Sequence, residues 1–493
     1  MELLRYIVPA AIILFYFYRL RTNPLVLVGI PLTLALGEAG FMRTWQFSMR
    51  VPLFPYALEW PDIVFGALGV AWVYVRQKRP EAQSLKWSVD LGVALFLLGL
   101  MFLYVPMAWL DDQALKLGVF WAVHKFVYFP LSIFVWLDLF RRVTREETDR
   151  LLETMAFVTV PFAGLYTLSS VGVPIFPDII WSPTFIGSAV IVRDFLTFPI
   201  WTRFALAYFL TRPRQTVISL ASIGILSSAI VLSYTRSWVI PALVLFGIAA
   251  FYIIAIRRQF TFAITRIASI AVVLAGVASA LLMLFPENLT YAFDRVVEIQ
   301  TQGFYSGNVL ARTSVFDEIN AYVLSADPIF GAGFGEQKGA EAAVLSQTYL
   351  VGDMMWTVIL LVMGWIGITA FGILFAIFGL RAFWIMLDAH NEMRARFGAI
   401  FFMVISWDVI RVFASAEYLQ LQQTSSALGF ALIAIEARRL WAENPKTISG
   451  LPMFRGISLN WFTRDDEYWW LRRATLAGLV GWLVYQTVRA ILR

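Results

Sequence analysis

Apolar stretches about as long as a bilayer is thick follow one another along nearly the whole chain, and no other feature constrains the fold so much. A crossing helix uses about 20 apolar residues. Inside lipid every backbone amide and carbonyl must be satisfied within its own segment, which favours helices. Broken at Pro, Gly and charge, the sequence predicts spans at Arg5 to Tyr18, Pro24 to Leu36, Ile63 to Val75, Val89 to Leu110 and Leu117 to Leu137. Further spans are expected at Leu151 to Ser170, Asp194 to Leu210, Thr216 to Ser233, Ser237 to Ile256 and Ile264 to Phe285. The series ends with Met355 to Leu380, Phe397 to Phe413, Thr424 to Ala437 and Ala474 to Leu492. The expectation is an all-α, polytopic membrane protein of about 12 to 14 helices. With 60% hydrophobic and only 15% charged residues, against about a quarter charged in soluble domains, a water-soluble enzyme is excluded.

Lys and Arg set the orientation, because basic residues near helix ends stay cytoplasmic. Alternate connections hold them: Arg19 and Arg21; Arg76, Lys78, Arg79 and Lys86; Arg141, Arg142, Arg145 and Arg150; Arg212 and Arg214; Arg257, Arg258 and Arg266; Arg381, Arg394 and Arg396; then seven from Arg438 to Arg473. Both termini then face out, and the pI near 9.4 reflects topology, with no nucleic-acid partner implied. Tyr16, Phe17, Tyr18 and Arg19 stand where a cleaved signal would need small residues, so the first segment reads as a retained span. Three parts result: an N-terminal bundle over 1–285, an external loop over 286–354, and C-terminal helices over 355–493. The last part includes a cytoplasmic segment at 438–473, which lies at the membrane surface in this reading, with Trp461, Trp469 and Trp470 among mixed charges.

The external connection is far longer than the dozen or so residues usual in compact domains, and long loops tend to carry function. Ser314 to Ser325 reads as a short amphipathic helix, ended by Asp327, Pro328, Gly331, Gly333 and Gly335. Nine acidic residues against three basic ones mean that a polyanionic substrate would need particular arginines there, not a general positive field.

Ionisable groups in spans cost about 3 kcal/mol near the centre and so are candidate functional residues. The outer ones are His124 and Lys125, Arg193 beside Asp194, Arg236, Asp408 and Arg411, with Glu417 beyond. Arg236, in Tyr234-Thr235-Arg236-Ser237-Trp238, sits at the outer rim between two closely joined spans. Its planar fork suits a phosphate or diphosphate; the plain alternative is a snorkelling rim arginine. Asp408 and Arg411 are three apart on one helix and could simply pair with each other. The absence of cysteine and the presence of only two histidines remove thiolate chemistry and leave little for a metal, so neither a metal nor another cofactor is expected.

Taken in order, the rim arginine of YTRSW, an external loop with Arg312 opening a short helix, the phrase DPIFGAGFG, and an apolar span containing GWIG resemble the C-terminal half of the O-antigen polymerase and O-antigen ligase superfamily. The match runs from Thr216 to Leu380. The resemblance implies a GT-C-like glycosyltransferase of the bacterial inner membrane, with its active site facing the periplasm. It would move a glycan from undecaprenyl diphosphate to an acceptor hydroxyl, needing neither metal nor nucleotide sugar. Its partners would be lipid-linked donor and acceptor, membrane lipid and, for a polymerase, a chain-length regulator.

Family members carry a His-Asn pair ahead of the GxxG helix, and counting back from Gly364 places Asp353 where that histidine stands. The departure points to a polymerase over a ligase. A second register sets Ser346 to Leu350 over the same motif; the first needs no insertion. On this reading Arg236 and Arg312, helped by Arg193 and Arg411, stabilise charge developing on the leaving diphosphate, and Asp353 accepts the acceptor's proton. Such a displacement inverts the anomeric centre. A ligase that moves finished glycan to lipid A core and a lipid-linked oligosaccharide flippase are the alternatives.

Overall fold

The computed structural model describes residues 2–38, 60–82, 128, 131–171, 184–186, 189–191, 198–257 apart from 215 and 235, 260–302, isolated positions between 317 and 331, 355–412 apart from 389, and 423–443. In chain order the helices are α1 (Glu2–Leu20), α2 (Gly29–Glu38, entered through a 3-10 turn at Pro24–Val28) and α3 (Trp60–Lys78). Then come α4 (Leu131–Phe140), α5 (Arg145–Ser170), α6 (Phe198–Leu210), α7 (Val217–Val231) and α8 (Arg236–Phe251, running into a π-helical turn at Tyr252–Ile256). The last are α9 (Phe260–Leu284), α10 (Pro286–Gln302), α11 (Met355–Met386), α12 (Glu392–Val412) and α13 (Gln423–Glu443). Among the described residues the architecture is helical except for one small hairpin, β1 (Thr184–Ile186) with β2 (Ala189–Ile191), in which Phe185 pairs with Val190. The sequence reading had placed no strand.

Among the described residues four helices are long and apolar enough to cross a membrane: Arg145–Leu168, Trp238–Ile256, Ile264–Leu284 and Gly364–Met386. Shorter apolar helices occur at Ala10–Leu20, Pro24–Ala35, Leu131–Phe140 and Val217–Val231. Spans expected at Val89 to Leu110 and Ala474 to Leu492 lie outside the described residues. Several hydroxyls on these helices are satisfied locally: Thr159, Ser170 and Ser228 donate to the carbonyls of Met155, Tyr166 and Gly224, one turn back. Trp136, Trp201, Trp238 and Trp407 are fully buried between helices. Helices α11 and α12 cross so closely that a Cβ on Gly398 would stand 2.3 Å from the Met386 amide nitrogen.

The basic connections meet at one end of the bundle, where carboxylates tie them together. Glu153 pairs with Arg19 at 2.9 Å and also with Arg212, Arg79 with Glu147 at 3.2 Å, and Arg396 with Asp149 at 3.2 Å. Glu436, almost inaccessible, takes Arg145 at 2.8 Å and Arg439 at 2.7 Å, and Arg394 bonds Asp388 at 2.9 Å. Arg257 reaches Glu392 at 2.6 Å. An up-and-down bundle brings every second connection to the same end, and these pairs do join the connections that the charge pattern grouped together. The helix starts here are capped: Thr144 and Glu147 form a reciprocal capping box, the Glu147 amide donating to Thr144 Oγ1 at 3.2 Å and the Thr144 amide to Glu147 Oε2 at 2.8 Å. A cavity of about 590 Å³ opens beside this turn, lined in part by Arg141, Arg142, Arg145 and Arg439. Asp138 and Glu436 already engage three of those four arginines, so the cavity belongs to the ionic network.

Candidate functional site

At the opposite end, neutral hydrogen bonds hold the turn between α7 and α8. The YTRSW turn between α7 and α8 is built around Tyr234, the one non-glycine residue with positive φ (53°) among the described residues. Left-handed backbone at a bulky residue persists only where surroundings over-determine it. Here the Tyr234 hydroxyl, in a buried position, donates to the Ser170 carbonyl at 3.1 Å and accepts from Asn288 Nδ2 at 2.9 Å. The turn is thus pinned to the end of α5 and the start of α10. It sets Arg236 as the first residue of α8, followed by buried Trp238, which stacks on Tyr166 with ring centroids 6.2 Å apart.

The second feature is a break in α11. Gly364 has φ 62° and ψ −160°, a conformation open essentially to glycine alone, so the helix stops and restarts there. Gly364 lies 22 residues from Met386, which α11 places near the ionic end; at 1.5 Å per residue the break is about 30 Å away, at the other end. The amides freed by the restart find partners in the long 286–354 connection: Trp365 N–H donates to the Pro328 carbonyl and Ile366 N–H to the Ile329 carbonyl, both at 3.1 Å. Gly331, itself at φ 74°, lets the chain pass close by. A Cβ on Gly364 would meet Gly331 N and Ile329 O at 2.5 Å. DPIFGAGFG and GWIG, distant in sequence, are therefore joined backbone to backbone.

The other candidates fall out as follows. Arg236 opens α8, and Arg411 lies on α12. Asp408, also on α12, is 2% exposed, and its carboxylate pairs with Arg203 of α6, itself 1% exposed. Asp408 thus has a partner on a neighbouring helix, across a packed contact where Phe204 also meets Phe401; the Arg411 side chain, read as another possible partner, lies outside the described residues. His124, Lys125, Arg193, Arg312, Asp353 and Glu417 lie outside the described residues. Asp317, Asn320, Ala321 and Leu324, within the stretch expected as a short amphipathic helix, are helical.

Sequence reasoning missed two things. Arg203 sits inside an apolar run, and the rule that singled out Asp408 would have found it. The start of the external loop is the helix α10, where apolar residues recur at Leu289, Ala292, Phe293, Val296 and Val297; the eye for long apolar runs passes over that spacing. Among the described residues no group of three or more His, Cys, Asp or Glu could hold a metal ion. Neither the known protein families nor the curated proteins contain a match to this chain.

Proposed function

We propose that the chain is a multi-pass membrane glycosyltransferase of the bacterial inner membrane, a polymerase that extends lipid-linked glycans at the periplasmic face. The observation that supports this reading is the pairing of the Pro328 and Ile329 carbonyls with the Trp365 and Ile366 amides. It unites the two phrases on which the resemblance chiefly rests. It also has chemical sense. Irregular backbone at the end of a span is tolerated where it is buried in protein or lines a cavity, and broken helices of polytopic proteins present their termini to substrates.

In the proposed reaction, Arg236 and Arg312, with Arg193 and Arg411, hold the diphosphate as its bond to the anomeric carbon breaks. Asp353 takes the proton of the attacking hydroxyl, and the anomeric centre inverts. Arg236 stands at the start of α8, where the helix dipole adds to its attraction for an anion. The buried Arg203–Asp408 pair stiffens the α6–α12 contact beside this region.

The reading is tested by reconstituting the protein in vesicles with a single undecaprenyl-diphosphate-linked repeat unit as the only glycan. A polymerase yields a ladder of longer lipid-linked products. No product without a second acceptor would make it a ligase, and movement of the lipid across the bilayer without lengthening would make it a flippase.

A further inference from the structure

Helix α10 has three faces. Asn288, Leu289 and Ala292 are buried, Asn288 on Tyr234 and the other two in a small apolar cluster with Leu232 and Leu281. Leu232 follows the end of α7 and Leu281 lies in the last turn of α9, so α10 lies across the ends of spans. A second face carries Glu287, Thr290 and Asp294, exposed and polar. The third is apolar and exposed: Phe293 is 59% accessible and Val297 45%. One turn apart, these two share an edge between the buried face and the polar one.

In sequence, that edge follows a run of other exposed apolar residues. Phe285 is the single non-helical residue between α9 and α10. Just before it Leu282, Met283 and Leu284 are exposed, Met283 at 83%, and further back along the span so is Val272. An amphipathic helix whose exposed apolar edge adjoins a carboxylate-bearing face, directly after a long apolar helix with exposed apolar residues at its end, fits the boundary between headgroups and acyl chains.

We infer that α10 is an interfacial helix whose Phe293 and Val297 edge is inserted into the outer leaflet, the covering partner being membrane lipid. The inference rests on the reading of α9 as a membrane span. It does not need the glycosyltransferase assignment. It places a lipid-embedded wall beside the YTRSW turn, on the side from which a lipid-linked substrate would arrive.

Because the chain has no cysteine, single Cys variants give clean labelling positions. Phe293→Cys, Val297→Cys, Asp294→Cys and Val272→Cys are each labelled with a polarity-sensitive fluorophore, and the full chain is placed in nanodiscs of phosphatidylethanolamine and phosphatidylglycerol. Probes at 293 and 297 are expected to be quenched several-fold more strongly by a lipid carrying a nitroxide near its headgroup than by aqueous iodide. The 294 probe should show the reverse. Iodide quenching at 293 and 297 equal to that at 294 overturns the inference, because the edge then faces water. Protection from both quenchers also overturns it, because protein then covers the edge. The Val272 probe separates the two levels: if a nitroxide deep in the acyl chains fails to quench it, the membrane reading of α9 has failed.

Discussion

Replacing Gly364 by alanine should detach the external loop from α11 while leaving the bundle folded. At φ 62° and ψ −160° a residue with a side chain is held in a region that costs about 1 to 3 kcal/mol. The added Cβ would meet Gly331 N and Ile329 O at 2.5 Å, and both are backbone atoms that cannot swing aside. Relief requires the Pro328–Gly331 segment to leave, with loss of two hydrogen bonds worth about 1 kcal/mol each. Together these shift the docked-to-detached equilibrium by about 3 kcal/mol or more, over a hundredfold at about 1.4 kcal/mol per decade. Hydrogen exchange in nanodiscs reads this directly, since the Trp365 and Ile366 amides should exchange about a hundredfold faster than in the wild type. Amides deep in α12 should be unchanged. The control is Gly372→Ala on the same helix, where a Cβ meets nothing within 4 Å and alanine should be neutral or stabilising. Unaltered protection of Trp365 and Ile366 in Gly364→Ala would refute the reasoning.

Breaking the buried Arg203–Asp408 pair from one side, by Arg203→Met or Asp408→Asn, should cost about 3 to 5 kcal/mol in reversible unfolding in detergent, because a nearly inaccessible group loses its charged partner. The joint change Arg203→Met with Asp408→Leu should restore most of that loss. Arg236→Lys and Arg312→Lys should each remove most turnover with purified lipid-linked substrate, since an ammonium keeps the charge but not the bidentate fork; near-normal rates in both would place the diphosphate elsewhere. EDTA should leave turnover intact, and recovery of lost activity by a divalent ion would show a metal site.

The helices were legible because long apolar runs bounded by charge favour them, and four of those described are long and apolar enough to cross a membrane. The sorting of connections by Lys and Arg was legible too, and the ion pairs at one end join the groups it defined. What the pattern could not give was partnership across helices. Asp408 is answered by Arg203, some two hundred residues earlier, and no local spacing encodes that contact. Helix α10 was hidden for a different reason: its apolar residues are spread at helical intervals among charges, so it lacks the long apolar run of a span. The sequence marked Gly364 only as the first glycine of GWIG in an apolar stretch, and glycine is common in spans, so a helix break was not read from it. Its meaning depended on Pro328 and Ile329 arriving from the loop.

The central claim is that this outer end transfers a glycan with Asp353 as proton acceptor, and the rate of lipid-linked chain extension by Asp353→Asn tests it most directly. The amide is nearly isosteric with the acid and cannot take up the proton, so extension should fall by about a hundredfold or more. Binding of the lipid diphosphate donor and thermal stability should be unchanged. Extension at the wild-type rate in the Asn variant would contradict the account: Asp353 would then be an ordinary residue ahead of α11, and the base would have to be sought elsewhere.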